Sequence, residues 1–243
     1  MPEIKINDRI SYIPACEKPL SADVGIVRGD RKAYIFDVGS TVETLDFLHG
    51  LEGRCDIVVS HFHADHTWWL TEHHKEDKDV SEGDTISLTY LRPRYERLYV
   101  GSLTKKYIPD GEVISAPTII SSISGNNYSA DERVIFESGS EYDGVKISVF
   151  PIPNSHCKGG LAMMVDDKYL FIGDSGYCME KDGKATYNAQ LLKAEIDLLE
   201  KVPADKLLIS HDRKFVRDKA VLLRQMKTIY SHRSSGSPYI TAE

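Results

Sequence analysis

Apolar runs of four or five residues, each closed by polar or glycine-containing turns, fill much of the first sixty positions. That is the pattern of strands. Residues 10–13 form a short β-prone run. Residues 24–27 (Val-Gly-Ile-Val) and 33–36 (Ala-Tyr-Ile-Phe) flank the polar stretch 28–32, whose Gly29-Asp30 predicts a hairpin. A helix is expected from Ser40 or Thr41 to about His49, with Gly50 as its stop. Residues 56–60 (Asp-Ile-Val-Val-Ser) read as a buried strand that leads directly into a histidine-rich segment.

From about Val80 to Val149 the pattern is short β-prone runs broken by Gly, Pro, Asn and Ser. Residues 145–150 alternate as a half-buried strand would. Residues 161–165 and 169–172 predict a second hairpin around Asp166-Asp167. Two helices are expected after it. Over 189–202, Leu192, Ile196 and Leu199 share one face. Over 216–230, Val216, Ala220, Leu223 and Tyr230 do the same. Residues 206–210 between them read as a last strand, with Pro203 ending the preceding helix. From about Ser234 the chain reads as a loose tail. This order fits an α/β protein with two sheets covered by helices. No repeat of fixed period and no low-complexity tract is present.

Composition narrows the class. The chain has 243 residues, 41% hydrophobic and 28% charged, which suits one large globular domain. A net charge of −7 disfavours a general nucleic-acid binder, which needs a basic footprint. No apolar run approaches the roughly 20 residues of a membrane span. The first residues lack a basic stretch followed by an apolar one, so a cytoplasmic protein is expected. Cys16, Cys55, Cys157 and Cys178 form no CxxC pair and are expected as free thiols.

The densest chemical signal is Ser-His-Phe-His-Ala-Asp-His-Thr at 60–67. On an extended backbone His61 and His63, two apart, share a face and can reach one ion. Asp65 and His66 follow as the chain turns. Imidazole with carboxylate suits Zn²⁺, and also Fe or Mn. A His-rich surface loop is the bland alternative, and His73 and His74 show that this chain places histidines outside any motif. His156, Asp174 and His211 each stand just beyond the C-terminal end of an apolar run, where α/β folds place their sites. Taken singly, His156 or His211 reads as a satisfied structural histidine. Taken with the cluster, each reads as a ligand.

Together, Asp37 in FDVGS, the HFHADH run at 61–66, His156 in NSHCKGG, Asp174 in FIGDS and His211 in ISHD resemble the metallo-β-lactamase-fold superfamily over nearly the whole chain. The resemblance implies an αββα sandwich of two mixed β-sheets flanked by helices, and a single domain over 1–243. The 89 residues between His66 and His156 exceed what a simple sandwich needs, so a cap or pocket insertion is expected within about 76–146. The resemblance also implies roles. His61, His63 and His156 would hold a first metal; Asp65, His66 and His211 a second. Asp174 would bridge them, and Asp37 would steady the site. Two divalent ions are implied, Zn²⁺ first, with Mn or Fe as alternatives.

The departures from the family pattern carry information. Asp212 follows the last His where Gly is frequent, which could alter the second metal's surroundings or the pocket rim. The main zinc β-lactamases carry Cys where this chain has Asp174, and they are secreted; both points count against antibiotic hydrolysis. The flavodiiron branch uses Glu where this chain has His63.

The expected reaction is attack by a metal-bridging hydroxide on an ester, thioester, lactone or phosphoester of a small molecule, with Asp65 orienting the hydroxide and later receiving a proton. Alternatives are an iron oxidoreductase of the same fold (persulfide-dioxygenase-like), a phosphodiesterase or nuclease, and a non-enzymatic sensor or scaffold. The expected partner is a small-molecule substrate, with no nucleic acid and no membrane. Tyr and Arg residues between 90 and 107, with Tyr128, could meet an anionic or aromatic substrate, but read mostly as ordinary surface. Trp68 or Trp69 is expected in the core. Lys158 could neutralise an anion or be a surface lysine. Tyr177 could donate to an oxyanion or pack against the next helix.

Overall fold

A computed structural model describes residues 3–51, 54–70, 95–101, 103–107 and 140–242. The chain divides into two compact units, Met1–Ala116 and Pro117–Glu243.

The first unit contains β1 (Ile4–Lys5), β2 (Ile10–Ile13), β3 (Cys16–Glu17), β4 (Leu20–Ser21), β5 (Val24–Arg28) and β6 (Ala33–Phe36). Helix α1 (Val42–Gly50), β7 (Cys55–Val58), the short helix α2 (Ala64–Thr67) and β8 (Arg97–Tyr99) follow. Six strands form one mixed sheet in the order β1-β2-β5-β6-β7-β8. The first four pair antiparallel, whereas β6, β7 and β8 run parallel. A parallel pair needs a crossover, and α1 supplies it between β6 and β7. Thr41 caps α1 by accepting the Thr44 N–H. Val24, Ile26, Ile35 and Ile57 from the sheet pack with Leu45 and Leu48 of α1 and with Trp69. Trp69 is thus a core residue, and Trp68 packs on the same cluster.

The second unit contains β9 (Ser140–Tyr142), β10 (Lys146–Ile152), β11 (Gly160–Val165), β12 (Tyr169–Gly173), β13 (Met179–Lys181) and β14 (Lys184–Asn188). Then come α3 (Ala189–Lys201), β15 (Lys206–Ile209), β16 (Val216–Asp218), α4 (Lys219–Ser231) and β17 (Tyr239–Thr241). Its large sheet has the order β16-β15-β12-β11-β10-β9, with only β12 and β15 parallel among these pairs. Asp166 and Asp167 both adopt positive φ in the tight turn between β11 and β12, which the Lys168 N–H closes by donating to the Val165 carbonyl at 3.0 Å. Leu192, Ile196 and Leu199 of α3 and Leu222 and Met226 of α4 pack into one apolar cluster with the sheet.

Two mixed sheets with helices are the content expected of the αββα class. Three local expectations are corrected. Val216 does not begin the last helix: 216–218 pair with β15, and the helix starts at Lys219. Its buried positions are Leu222 and Met226, while Ala220 is exposed. The tail is not loose to its end, because Tyr239–Thr241 adds a third strand to β13 and β14 and buries Ile240. Finally, β10 does not alternate between buried and exposed: Ile147–Phe150 are buried on both faces, with Ser148 as buried as its apolar neighbours. Most of the expected insertion, with Tyr90, Arg92, Arg94 and Tyr128, lies outside the described residues, as do His73 and His74. No helix among the described residues is long and apolar enough to cross a membrane.

Candidate metal centre

In the first unit β6 and β7 run parallel, with Phe36 opposite Val58, so their C-terminal ends lie side by side. Asp37 leaves one strand end and Ser60 follows the other. Asp37 has φ 62°, a left-handed conformation that Asp tolerates better than most residues, and its N–H donates to the Val58 carbonyl at 2.8 Å. Its carboxylate is fully buried. A buried carboxylate is costly unless donors surround it, and three converge here. They are the Ser60 N–H at 2.7 Å, the Ser60 hydroxyl at 2.8 Å and His66 Nδ1–H at 2.8 Å.

Ser60 gives its one hydroxyl proton to Asp37. His61 Nδ1, 2.9 Å from the same oxygen, is therefore the donor in that contact. His61 and His66 thus both carry their proton on Nδ1 and present Nε2 as the ligand atom, the tautomer a metal-binding imidazole needs. His61 Nε2 lies 2.9 Å from His63 Nδ1. Two tetrahedral zinc ligands stand about 3.3 Å apart, so these two nitrogens lie close to ligand spacing. Helix α2 turns the chain to bring Asp65 Oδ2 within 3.5 Å of His66 Nε2. The turn is pinned from outside: Val38 N–H donates to the His66 carbonyl at 3.0 Å and Ala22 N–H to the Asp65 carbonyl at 3.1 Å.

In the second unit, Asp174 follows β12, and its Oδ2 lies 3.4 Å from His156 Nε2 and 3.9 Å from His211 Nε2. Asp174 is 7% exposed. His156 Nδ1–H donates to the Cys178 carbonyl at 3.3 Å, which turns its Nε2 toward Asp174. The loop carrying His156 is held by Asn154, whose side-chain oxygen accepts the Cys157 N–H at 2.8 Å. Gly160 makes room for that amide: a Cβ there would stand 2.5 Å from Asn154 Nδ2. His211 sits at φ 59°, a conformation that costs energy for a non-glycine residue and recurs at functional sites.

Each unit therefore gathers its own part of the expected ligand set: His61, His63, Asp65 and His66 in one, His156, Asp174 and His211 in the other. All seven carry donors that could hold a metal ion. Imidazole nitrogens, three of them on rings with a fixed tautomer, together with carboxylate oxygens suit a divalent ion such as zinc.

Other expectations resolve differently. The Tyr177 hydroxyl donates to the Ser210 carbonyl at 2.9 Å and the ring packs on the core, so it braces the strand end before His211. Asp212 accepts the Lys214 N–H at 3.0 Å and pairs with Arg217 at 2.7 Å, closing the loop after His211. Lys158 is exposed. Burial pushes the Cys55 thiol up to about 12, which makes it inert. Sequence patterns missed Ser60, the hub linking Asp37, His61 and His66. Its only signal was its place between a strand end and the first histidine.

A sequence profile described as the metallo-beta-lactamase superfamily matches residues 18–211. No curated protein matches the chain by sequence. Among solved structures, an archaeal metallo-beta-lactamase superfamily protein from Sulfolobus tokodaii is 19% identical, with 93% of this chain and 87% of that one covered and a TM-score of 0.53. A metallo-beta-lactamase from Pontibacter korlensis is 15% identical, with 96% and 99% covered and a TM-score of 0.54. The flavodiiron protein from Giardia intestinalis is 8% identical, with 96% and 60% covered and a TM-score of 0.57. At these identities the likeness shows a shared fold.

Proposed function

The chain belongs to the metallo-beta-lactamase superfamily, and from that premise we propose that it is a metal-dependent hydrolase of small molecules, cleaving an ester, thioester, lactone or phosphoester. The observation that carries this reading is the Asp174 carboxylate set between the Nε2 atoms of His156 and His211. A carboxylate oxygen between two imidazole nitrogens is the donor arrangement of a bridging ligand.

In this proposal His61, His63 and His156 would hold one divalent ion and Asp65, His66 and His211 a second, with Asp174 as the residue that would be shared. Such ions would supply hydroxide at neutral pH by lowering the pKa of water from about 16 to about 7. The chain's own groups do the rest. Asp65 orients the attacking oxygen and takes up its proton. Asp37, through Ser60 and directly, fixes the tautomers of His61 and His66. The Cys178 carbonyl does the same for His156. The net charge of −7 supports a small-molecule substrate over nucleic acid.

The test is metal analysis of the purified protein, followed by a panel of ester, thioester, lactone and phosphodiester substrates. Two zinc or manganese ions per chain are expected, with turnover lost on chelation and restored by metal. Asp174→Ala is expected to lower the metal stoichiometry. One iron per chain with little second metal would favour the oxidoreductase reading, and a protein that binds no divalent metal would sink the proposal.

A further inference from the structure

The second unit contains a cavity of about 540 Å³, within the size range of small-molecule sites. None of His156, Asp174 and His211 lines it. Its apolar wall is made by Tyr187, Ile209, Leu222, Met226 and Ile229. Tyr187, Ile209, Leu222 and Met226 are buried members of the unit's core, so the wall is rigid. The polar groups at the cavity are Asp212, Arg217 and Arg224, with Gln225 and Thr228.

The charges there do not balance. Asp212 pairs with Arg217 at 2.7 Å, which accounts for one cation. Arg217 Nε is buried and makes no hydrogen bond among the described residues, so one N–H of the guanidinium is left over. Arg224, exposed on α4, is a second cation at the cavity, and no ion pair to it is formed among the described residues. An apolar wall and an excess positive charge together select a ligand with an apolar body and an anionic head.

We propose that this cavity binds a small amphipathic carboxylate, its hydrocarbon part against Leu222 and Met226 and its carboxylate at Arg217 and Arg224. Burial of the chain drives binding, and charge-assisted hydrogen bonds to the guanidinium groups orient it. The site touches the candidate metal centre through the backbone. Ile209 and Asp212 line the cavity and bracket Ser210 and His211, and Tyr177, another lining residue, holds the Ser210 carbonyl. Occupancy therefore bears on the placement of His211.

Titration calorimetry of the purified protein with decanoate, decanol and decyltrimethylammonium tests this. Decanoate is expected to bind at one site, decanol more weakly and the cationic amphiphile most weakly. Arg224→Gln is expected to weaken decanoate by roughly three- to tenfold, as befits an exposed charge, and to leave decanol unchanged. Leu222→Trp fills the cavity and is expected to abolish binding. Thr228→Trp, at an exposed position of α4, obstructs the same cavity with little risk to folding. Asp174→Asn is expected to keep decanoate binding, which separates this site from carboxylate capture by a metal. The proposal is overturned if decanoate does not bind, if it binds equally well to Thr228→Trp, or if the cationic amphiphile matches it.

Discussion

Asp37 Oδ2 lies 2.8 Å from His66 Nδ1, and both side chains are fully buried. The pair joins a strand end to the histidine segment and decides which nitrogen of His66 faces the candidate metal. An outer carboxylate of this kind typically governs metal affinity by about 10- to 100-fold. Asp37→Ala is expected to lower divalent-metal affinity by that much in a chelator competition assay. Asp37→Asn, which tolerates the left-handed backbone, is expected to fold as well as wild type yet still bind metal more weakly, because an amide does not hold the Ser60 and His66 protons as a carboxylate does.

Asp65 is proposed to orient the attacking oxygen and accept its proton. Asp65→Asn is expected to cut kcat by about 10²- to 10⁴-fold on any substrate the wild type turns over. The readout is steady-state kinetics at matched metal occupancy. Full rate in the variant would remove Asp65 from that role.

Gly160 faces the amide of Asn154 so closely that any side chain must displace it. Gly160→Ala is expected to disturb the loop that carries His156, costing about 1–3 kcal/mol of stability. Metal stoichiometry should fall along with the melting temperature. A neighbouring pocket wide enough to absorb the methyl group would show as unchanged values for both.

Glu195 is fully buried in the middle of α3, and neither carboxylate oxygen has a hydrogen-bond partner among the described residues. Burial raises its pKa well above the usual carboxylate value of 4.5. The sign follows from linkage: the folded state holds this proton more tightly than the unfolded state. Its contribution is therefore fully present below about pH 4.5 and is lost as pH rises through the folded pKa. Glu195→Met is expected to stabilise the protein at pH 8 by about 1–3 kcal/mol, the cost of an unsatisfied buried polar group. Denaturant titrations at pH 8 and near pH 4.5 should show that gain shrinking in acid. An equal gain at both pH values would mean Glu195 does not titrate on unfolding.

Glu195 also shows where sequence patterns stop. The spacing of Leu192, Ile196 and Leu199 identifies the buried face of α3, and the structure agrees. Residue 195 lies on that same face, yet a glutamate carries no local signal of burial, because its side chain is ordinarily solvated. The reverse holds at 216–218. Val216 suits the helical pattern that follows, but pairing with Leu208 on β15 outweighs it. Tyr239–Thr241 is likewise a strand only because β14 offers an edge to pair with.

The chemistry of the candidate centre was readable from the chain because it rests on donor types and local order. His61, His63, Asp65 and His66 fall within six positions after an apolar run. His156, Asp174 and His211 each end such a run. Those signals depend on spacing of a few residues, which a linear sequence records directly. Only the tertiary structure decided how the donors are oriented. Ser60 and Asp37 lock two imidazoles, the Cys178 carbonyl locks a third, and Asp174 stands between His156 and His211. It also committed Asp212 to Arg217 and Tyr177 to Ser210. Apart from the Asp212–Arg217 pair, these contacts join residues about 20 or more positions apart in sequence, and their geometry depends on strand register and packing, which no local pattern encodes.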